Sequence, residues 1–363
     1  MTTIEALLPS TTPLGLIDAE GQACPGELAM PDAAVLLELY RRMTIGRRFD
    51  AQATALTKQG RLAVYPSSHG QEACQIGAVL ALREQDWLFP TYRDCVAIVS
   101  RAVPPAEVLS LLRGDWHCGY DPHEHRVAPQ CTPLATNTLH AVGLGHAARL
   151  KGEDQVAVVL LGDGATSEGD THEALNFAAV WKAPVVFLVQ NNGYAISVPL
   201  EKQTAAPRLA YKGVGYGMRS RLVDGNDAAA VHAVVSEAIA HAAAGEGPTL
   251  IEALTYRIEA HTNADDATRY REAEEVQAWL RRDPLSRLDA YLRAAGILDD
   301  AVASDFAEQA ERFATTVREQ MNADAVLDPA ELFEHVYAQP TPALVAQRDE
   351  LLGELAEIAR EAA

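Results

Sequence analysis

The spacing of apolar residues divides the chain into a helical start, an α/β middle and a helical end. Residues 32–58 carry apolar side chains at helical spacing and stop before Gly60, and residues 72–82 repeat that pattern. Residues 1–30 contain several prolines and glycines and show little periodicity. We therefore expect an N-terminal arm that is either disordered or lies across a partner.

Continuous apolar runs in the middle of the chain predict buried parallel strands. Residues 155–161 and 185–190 are two such runs, and the helical segment 172–182 lies between them. A strand, a helix and a second strand form a βαβ unit, which is expected to cross over with the right hand. A helix over 227–244 then leads into a further predicted strand over 249–257.

The flanking segments predict helices and loops rather than a second sheet. Residues 134–151 predict a helix, 258–275 a polar loop, and the chain from Pro284 onward four amphipathic helices. We find no internal repeat and no low-complexity linker. The sequence therefore predicts an α/β fold, a mostly parallel sheet flanked by helices with extra terminal helices. The predicted parts are an arm (1–30), one main domain (31–340) and a C-terminal helix (341–363).

Composition and charge limit the possible partners. The 363 residues include 30 basic and 50 acidic side chains, which gives a net charge of −20. A chain this acidic has no general affinity for nucleic acid or for an anionic membrane. It lacks a signal-peptide pattern and any apolar run of about 18 residues, so we expect a cytoplasmic protein. Five cysteines without a C-x-x-C pair argue against a disulfide framework.

Polar residues follow two of the predicted strands at the point where each strand ends. Gly162-Asp163-Gly164 follows the first strand, and Asn191-Asn192-Gly193 follows the next one. The 26 residues between them, 165–190, match one helix plus one strand. Because ligands bind beyond the carboxyl ends of the strands in an open α/β sheet, Asp163 and Asn192 are candidate site residues.

These residue types suit a magnesium diphosphate. Carboxylate and amide oxygens are ligands that Mg²⁺ prefers, and the backbone carbonyl of Tyr194 is a candidate third ligand. Gly162 and Gly164 let backbone N–H groups approach phosphate oxygens, and the following helix points its N-terminus toward them. Each triplet taken alone would be an ordinary turn without a ligand. The pair at this spacing favours a site.

The longer segment 162–197, GDGATSEGDTHEALNFAAVWKAPVVFLVQNNGYAIS, resembles the alpha subunits of pyruvate and branched-chain 2-oxo acid dehydrogenases, which depend on thiamine diphosphate. The likeness extends over about residues 31–340. It implies that Asp163, Asn192 and the carbonyl of Tyr194 hold magnesium. The residues that it implies for cofactor binding are Tyr92, Arg93, Thr132, Leu134, Gly162, Asp163, Gly164, Ala165, Gln190, Asn192 and His261.

Two further parts of the resemblance concern a second cation and a departure from the pattern. Segment 132–137 resembles the stretch that lines the thiazolium ring and, in branched-chain enzymes, a potassium site. Gln190 stands where branched-chain enzymes often have arginine, which weakens one expected cofactor contact. The implied potassium ligands are Cys131, Pro133, Thr136 and Asn137.

The resemblance also implies that His261 is catalytic. The family histidine at this position faces the cofactor and bonds the carboxylate or developing oxyanion of the 2-oxo acid adduct. A loop histidine without this context would more often be simply exposed. Thr262 replaces the regulatory serine of mammalian relatives, so kinase control is not expected. Ion pairs among neighbouring residues are expected to pin the loop: Arg257, Asp265, Asp266, Tyr270 and Arg271.

The resemblance implies obligatory partners. The pyrimidine ring of the cofactor needs a carboxylate, which the superfamily supplies from a second α/β domain. Only helices are predicted after residue 258, so that half must lie on another polypeptide. The family supplies a beta subunit in an α2β2 heterotetramer, and the acyl product passes to a lipoyl group on an acyltransferase core.

The sequence leaves the substrate open. Leu134 and the segment GYAIS favour a branched-chain 2-oxo acid of the 3-methyl-2-oxobutanoate type. Val64 and Thr91 replace larger pocket residues and leave pyruvate open. An acetoin dehydrogenase shares these motifs, while a non-catalytic scaffold would not keep Asp163 with Asn192 and a nicotinamide dehydrogenase would bind NAD.

Two other motifs are judged to be unrelated to ligand binding. Gly143-Leu144-Gly145-His146-Ala147-Ala148 fits a dinucleotide pattern but lies within a predicted helix, which favours close helix packing. Residues 117–125 contain histidines and a cysteine whose spacing matches no common zinc site. His117 in that loop is a candidate substrate contact.

Overall fold

The protein is built around a parallel β-sheet. The computed structural model describes residues 4–116, 118–323, 328–334 and 336–361. The strands in these residues are β1 (Trp87–Phe89), β2 (Ala157–Gly162), β3 (Val185–Asn191), β4 (Tyr194–Ala195), β5 (Val198–Pro199), β6 (Arg219–Asp224) and β7 (Thr249–Leu254). Five of them run parallel in the spatial order β1–β2–β3–β7–β6, whereas β4 and β5 form a separate antiparallel ribbon.

Helices precede, connect and follow these strands. The helices before β2 are α1 (Ala33–Lys58), α2 (Glu72–Ala81), α3 (Cys95–Ser100), α4 (Pro105–Arg113), α5 (Pro122–His125) and α6 (Thr136–Lys151). Those between β2 and β7 are α7 (Gly169–Trp181), α8 (Tyr211–Gly215) and α9 (Ala228–Ala243). Those after β7 are α10 (Ala273–Leu280), α11 (Pro284–Ala294), α12 (Asp300–Asn322), α13 (Glu331–Glu334) and α14 (Pro342–Glu361).

Each central strand is apolar on both faces because helices cover both sides of the sheet. Val158 and Leu160 of β2 join one buried cluster, which includes residues of α1, α2 and α9. Val159 and Leu161 join a second cluster on the opposite face, with residues of α6 and α7. Burial on both faces explains the continuous apolar runs, and the predicted α/β fold with flanking helices is confirmed.

Most predicted elements are present, with shifted ends. The predicted βαβ unit is confirmed, since α7 connects β2 to its parallel neighbour β3. The helix predicted from residue 134 begins at Thr136, because Ala135 lies in the left-handed region with φ +68°. Strand β6 was not predicted. It alternates buried and half-buried positions and lacks a continuous apolar run.

The described part of the N-terminal arm packs on its own chain. Leu14 pairs with Val223 of β6, the last strand of the sheet. Leu14 N–H donates to the Leu222 carbonyl, and Asp224 N–H donates to the Leu14 carbonyl. Leu16 and Ile17 are buried, and their N–H groups donate to the carboxylate of Asp227 at 2.7 Å. The arm therefore covers an exposed sheet edge, which is a site of unwanted pairing when left open.

The chain divides into two compact units, residues Met1–Met321 and Asn322–Ala363. The first contains the whole sheet. The second contains α13 and α14, which contact each other. The boundary at residue 340 that the sequence suggested stays a prediction. Across the described ranges, no helix combines the length and the apolar character needed to cross a bilayer.

Replacing Asp227 should loosen the arm. The Asp227 carboxylate caps the N-terminus of α9 by accepting from Ala230 N–H. The Asp227→Ala change removes this cap and also leaves the N–H groups of Leu16 and Ile17 in the arm without an acceptor. We expect the free energy of unfolding to fall by about 2–5 kcal/mol and the arm to become cleavable by protease. Chemical denaturation and limited proteolysis measure both effects.

Asp32→Ala is the matched control. Asp32 caps α1 through Val35 N–H but is exposed and holds no second segment. We expect Asp32→Ala to lower the free energy of unfolding by about 1 kcal/mol and to leave the arm resistant to protease. Equal proteolysis of the two variants would contradict the role of Asp227 in holding the arm through these hydrogen bonds.

Candidate active site

The parallel register of β2 and β3 brings the two polar strand ends together. Gly162 lies opposite Gln190, so Asp163 and Asn192 follow at the same edge of the sheet. The backbone of Asn192 lies near the Asp163 carboxylate and lowers the pKa of that group. Both side chains are buried, with 1% and 6% of their surface exposed, and both line one cleft.

Asp163 has neutral hydrogen-bond partners. Gln203 Nε2 donates to its carboxylate at 2.7 Å, and the Oε1 atom of Gln203 is buried without a partner among the described residues. Burial raises the pKa of Asp163, and the bond from Gln203 opposes that rise. A buried carboxylate held by amides, with an unpartnered amide oxygen beside it, fits a cation site.

A chain of amide side chains connects the cleft to the interior. Asn192 Nδ2 donates to Gln71 Oε1 at 3.0 Å, and Gln71 Nε2 donates to Gln190 Oε1 at 3.1 Å. Gln190 Nε2 in turn donates to Asp94 at 2.7 Å, and Asp94 also accepts from Thr91. Gln190 therefore lines the cleft with both ends of its amide already bonded.

His261 faces the same cleft and is held by two arginines. Arg93 Nη2 lies 3.0 Å from both the Nδ1 atom and the carbonyl oxygen of His261, and Arg257 Nη1 lies 3.3 Å from Nδ1. Arg93 also donates to the carbonyl of Ser67 at 3.0 Å. Burial and the two guanidinium groups lower the pKa of His261 to about 4. The ring is therefore neutral near pH 7.

Hydrogen bonds rather than the expected ion pairs hold the loop around His261. Asp265 accepts from the His261 backbone N–H at 2.8 Å and from the Tyr270 hydroxyl at 2.5 Å. Arg271 donates to the backbone carbonyls of Arg257 and Ile258. These bonds fix the loop against the end of β7 without pairing an arginine to a carboxylate.

The cleft gathers most residues that the sequence singled out. Thr132 is not among its lining residues, and neither are the four residues suggested for potassium. Cys131 and Pro133 precede α6, and Thr136 and Asn137 are its first two residues. Cys131 Sγ contacts the Pro133 carbonyl at 3.0 Å, and Asn137 Nδ2 donates to the Leu160 carbonyl at 2.9 Å. The predicted residues that line the cleft are Tyr92, Arg93, Leu134, Gly162, Asp163, Gly164, Ala165, Gln190, Asn192, Tyr194 and His261.

Two polar residues of the site were missed. Gln71 precedes α2, about 90 residues before Asp163, and Gln203 lies after β5, 40 residues beyond Asp163. No pattern of spacing marks either residue, because each reaches the site through tertiary contacts. The local signal in the sequence is Gly70-Gln71-Glu72, a polar segment at the start of an apolar helix.

Most of the chain matches the model of one protein family. Residues 40–327 match the model of the family described as dehydrogenase E1 component. The chain belongs to the dehydrogenase E1 component family. The thiamine-diphosphate-dependent 2-oxo acid dehydrogenase that the resemblance implied is thereby confirmed at the level of the family.

Individual relatives support the same assignment. The alpha subunit of 3-methyl-2-oxobutanoate dehydrogenase from Mycobacterium tuberculosis (strain H37Rv) is 48% identical over 318 residues, which cover 88% of this chain and 87% of the relative. The pyruvate dehydrogenase E1 component subunit alpha from Staphylococcus aureus (strain Mu50) is 39% identical over 300 residues, 82% of this chain and 80% of the relative.

The other motifs of this E1 chain serve packing. The glycine-rich segment lies inside α6, and a side chain at Gly145 would meet Val185 of β3 at 3.0 Å. In the suspected zinc loop, His123 packs edge-on against Trp87, and the described residues form no cluster of three or more metal-binding side chains. His117 lies outside the described residues.

Gly164 is required for the close approach of the β4–β5 ribbon to the E1 site. A methyl group at Gly164 would lie 2.7 Å from the Ala195 side chain, whereas one at Gly162 would meet no atom within 4 Å. We expect Gly164→Ala to lower the free energy of unfolding by about 1–3 kcal/mol through overpacking. Gly162→Ala is the control and should not destabilise the fold. Chemical denaturation that ranks the two variants equally would contradict this packing.

Proposed function

We propose that this E1 chain is the alpha subunit of a branched-chain 2-oxo acid dehydrogenase complex. It acts in the oxidative decarboxylation of an acid of the 3-methyl-2-oxobutanoate type and in transfer of the acyl group to a lipoyl carrier. The observation that carries the proposal is one cleft that combines buried Asp163 and Asn192 with His261. The relative at 48% identity supports the choice of acid.

Thiamine diphosphate with Mg²⁺ is the cofactor that the donor set fits. Asp163 and Asn192 would supply hard oxygen ligands and Tyr194 its carbonyl, while diphosphate oxygens and water complete the six positions. Tyr92 and Arg93 would bind the diphosphate, since a guanidinium fork matches phosphate oxygens. When bound, the cofactor supplies a nucleophilic carbon that attacks the 2-oxo group and stabilises the charge left by decarboxylation.

His261 would orient the substrate as a hydrogen-bond donor. Its ring is neutral near pH 7 and is fixed by Arg93 and Arg257, so its position does not depend on the substrate. A fixed donor aimed at a developing oxyanion lowers the barrier without reorganising during the reaction. Leu134 would support the cofactor ring from the cleft wall.

We also propose a potassium site at the start of α6, formed by Cys131, Pro133, Thr136 and Asn137. The Pro133 carbonyl already contacts the Cys131 thiol, so that oxygen would exchange this contact for the cation. Thr136 and Asn137 begin α6 and would complete the set.

We infer that a beta subunit completes the active site. The family carries the pyrimidine carboxylate on a second α/β domain, and no strand follows β7 within the described ranges. An α2β2 heterotetramer that docks on a lipoyl-bearing acyltransferase core is the assembly this implies. The cytoplasm is the proposed location.

The cleft wall favours an aliphatic substrate. Leu134 and Ile196 both line the cleft and are 39% and 53% exposed, which suits a branched aliphatic group. Of the two residues that leave pyruvate open, Val64 packs against the main core and does not line the cleft, whereas Thr91 does line it. Pyruvate is the alternative substrate and acetoin the next one.

Replacing Asp163 tests the cofactor site. Asp163→Asn keeps the shape of the side chain but removes the charge, so we expect magnesium-dependent thiamine diphosphate binding to weaken about 100-fold or more, as ligand-shell losses do. Calorimetry on the heterotetramer measures this. Asp170→Asn is the control, because Asp170 starts α7 outside the cleft. Unchanged binding in Asp163→Asn would refute the site.

A substrate panel tests the reaction. The chain is produced together with candidate beta subunits and assayed for decarboxylation of 3-methyl-2-oxobutanoate, pyruvate and acetoin. We expect the branched acid to exceed pyruvate by about tenfold or more in kcat/KM, since apolar groups in a matched pocket are worth that much. A preference for pyruvate or acetoin would replace the proposed substrate and retain the cofactor site.

A further inference from the structure

Two arginines direct donors at one nitrogen of His261. Arg93 Nη2 lies 3.0 Å and Arg257 Nη1 3.3 Å from Nδ1. A guanidinium group can only donate hydrogen bonds, so Nδ1 must carry a lone pair and no proton. In a neutral imidazole the proton then resides on Nε2.

We propose that Arg257 is a positioning residue that fixes His261 as the Nε2–H tautomer. His261 then acts toward the substrate only as a donor, because its one lone pair faces the arginines. The proposal rests on the proposed function for its use in the reaction. Its geometry, however, is independent of which 2-oxo acid is bound.

Arg257 is the arginine that can keep this role when the cofactor is bound. Arg93 is the proposed diphosphate ligand, so its contact with Nδ1 competes with the cofactor. Arg257 is 1% exposed and is anchored elsewhere, because Nη2 donates to the Ile196 carbonyl and to the Tyr270 hydroxyl, each at 2.8 Å. These two anchors hold Nη1 beside the ring regardless of Arg93.

The surrounding charges favour the neutral ring. The positive charges of Arg93 and Arg257 oppose protonation of His261, and the negative charge of Asp265 favours it. The Asp265 carboxylate also accepts from the His261 backbone N–H. The Tyr92 ring packs edge-on against the His261 ring, with 6.1 Å between the ring centroids. Burial is the largest cause that lowers the pKa of His261, and the arginines follow it.

The proposed tautomer limits the chemistry of His261. A proton on Nε2 can be donated to a carboxylate or alkoxide oxygen of the bound acid. Nδ1 cannot accept a proton until both guanidinium groups move away. His261 is therefore excluded as the resting general base, which leaves it the task of orientation and of stabilising negative charge.

The pH dependence of histidine C2–H exchange, read by mass spectrometry, tests the proposal without an activity assay. The intact heterotetramer is measured with and without thiamine diphosphate and Mg²⁺, from pH 5 to pH 8. We expect no inflection for the His261 peptide in either state. In Arg257→Gln an inflection should enter this range, a shift of about one pH unit or more toward the ordinary histidine value near 6.5.

Arg271→Gln is the matched control. Arg271 is a cation of the same loop, but it donates to the carbonyls of Arg257 and Ile258 rather than to the ring. Its loss should leave the His261 exchange profile unchanged. An equal shift in Arg257→Gln and Arg271→Gln would show general loosening of the loop and overturn the specific role of Arg257.

Two further results decide the case. An inflection between pH 6 and 7 in the unaltered protein overturns the proposal, even if Arg257→Gln does not fold.

Two substitutions of His261 test the tautomer. His261→Gln places an amide N–H near the position of Nε2, whereas His261→Asn places it near Nδ1. We expect His261→Gln to retain the higher kcat at unchanged cofactor affinity, and the reverse order contradicts an Nε2–H donor. Loss of cofactor binding alone would refute the proposed function and not the tautomer.

Discussion

The parallel register between β2 and β3 is the constraint on which the site depends. Because Gly162 pairs with Gln190, the residues that follow each strand emerge at one edge and bring Asp163 beside Asn192. A slip of one residue would turn every side chain to the opposite face. The two apolar clusters that cover the faces of the sheet fix this register, so the core and the chemistry are coupled.

Local charges, rather than the net charge, determine what the cleft accepts. The chain carries a charge of −20, yet Arg93 and Arg257 face the cleft from two segments. They would attract the diphosphate and the carboxylate of a 2-oxo acid, and they keep His261 neutral at the same time. The buried carboxylate of Asp163, in contrast, provides a negative charge that can bind a cation.

The fold was predictable where the pattern is local. Residues 155–161 and 185–190 are apolar because both faces of their strands are buried, and helix α1 ends before Gly60. Strand β6 was missed because it lies near the sheet edge, where half of its side chains stay partly exposed. The arm could not be assigned either, since its partner is that same strand, about 200 residues away along the chain.

The sequence alone determined the residue types of the site and the two strand ends that carry Asp163 and Asn192. Its spacing was sufficient because one βαβ crossover connects the two strands, so the relation is short-range. Only the tertiary structure decided that Gln71 and Gln203 bond to those residues, and that Arg257 shares Nδ1 of His261 with a distant arginine. Such contacts join separate segments of the chain, and no periodicity of apolar residues encodes which polar atoms then meet.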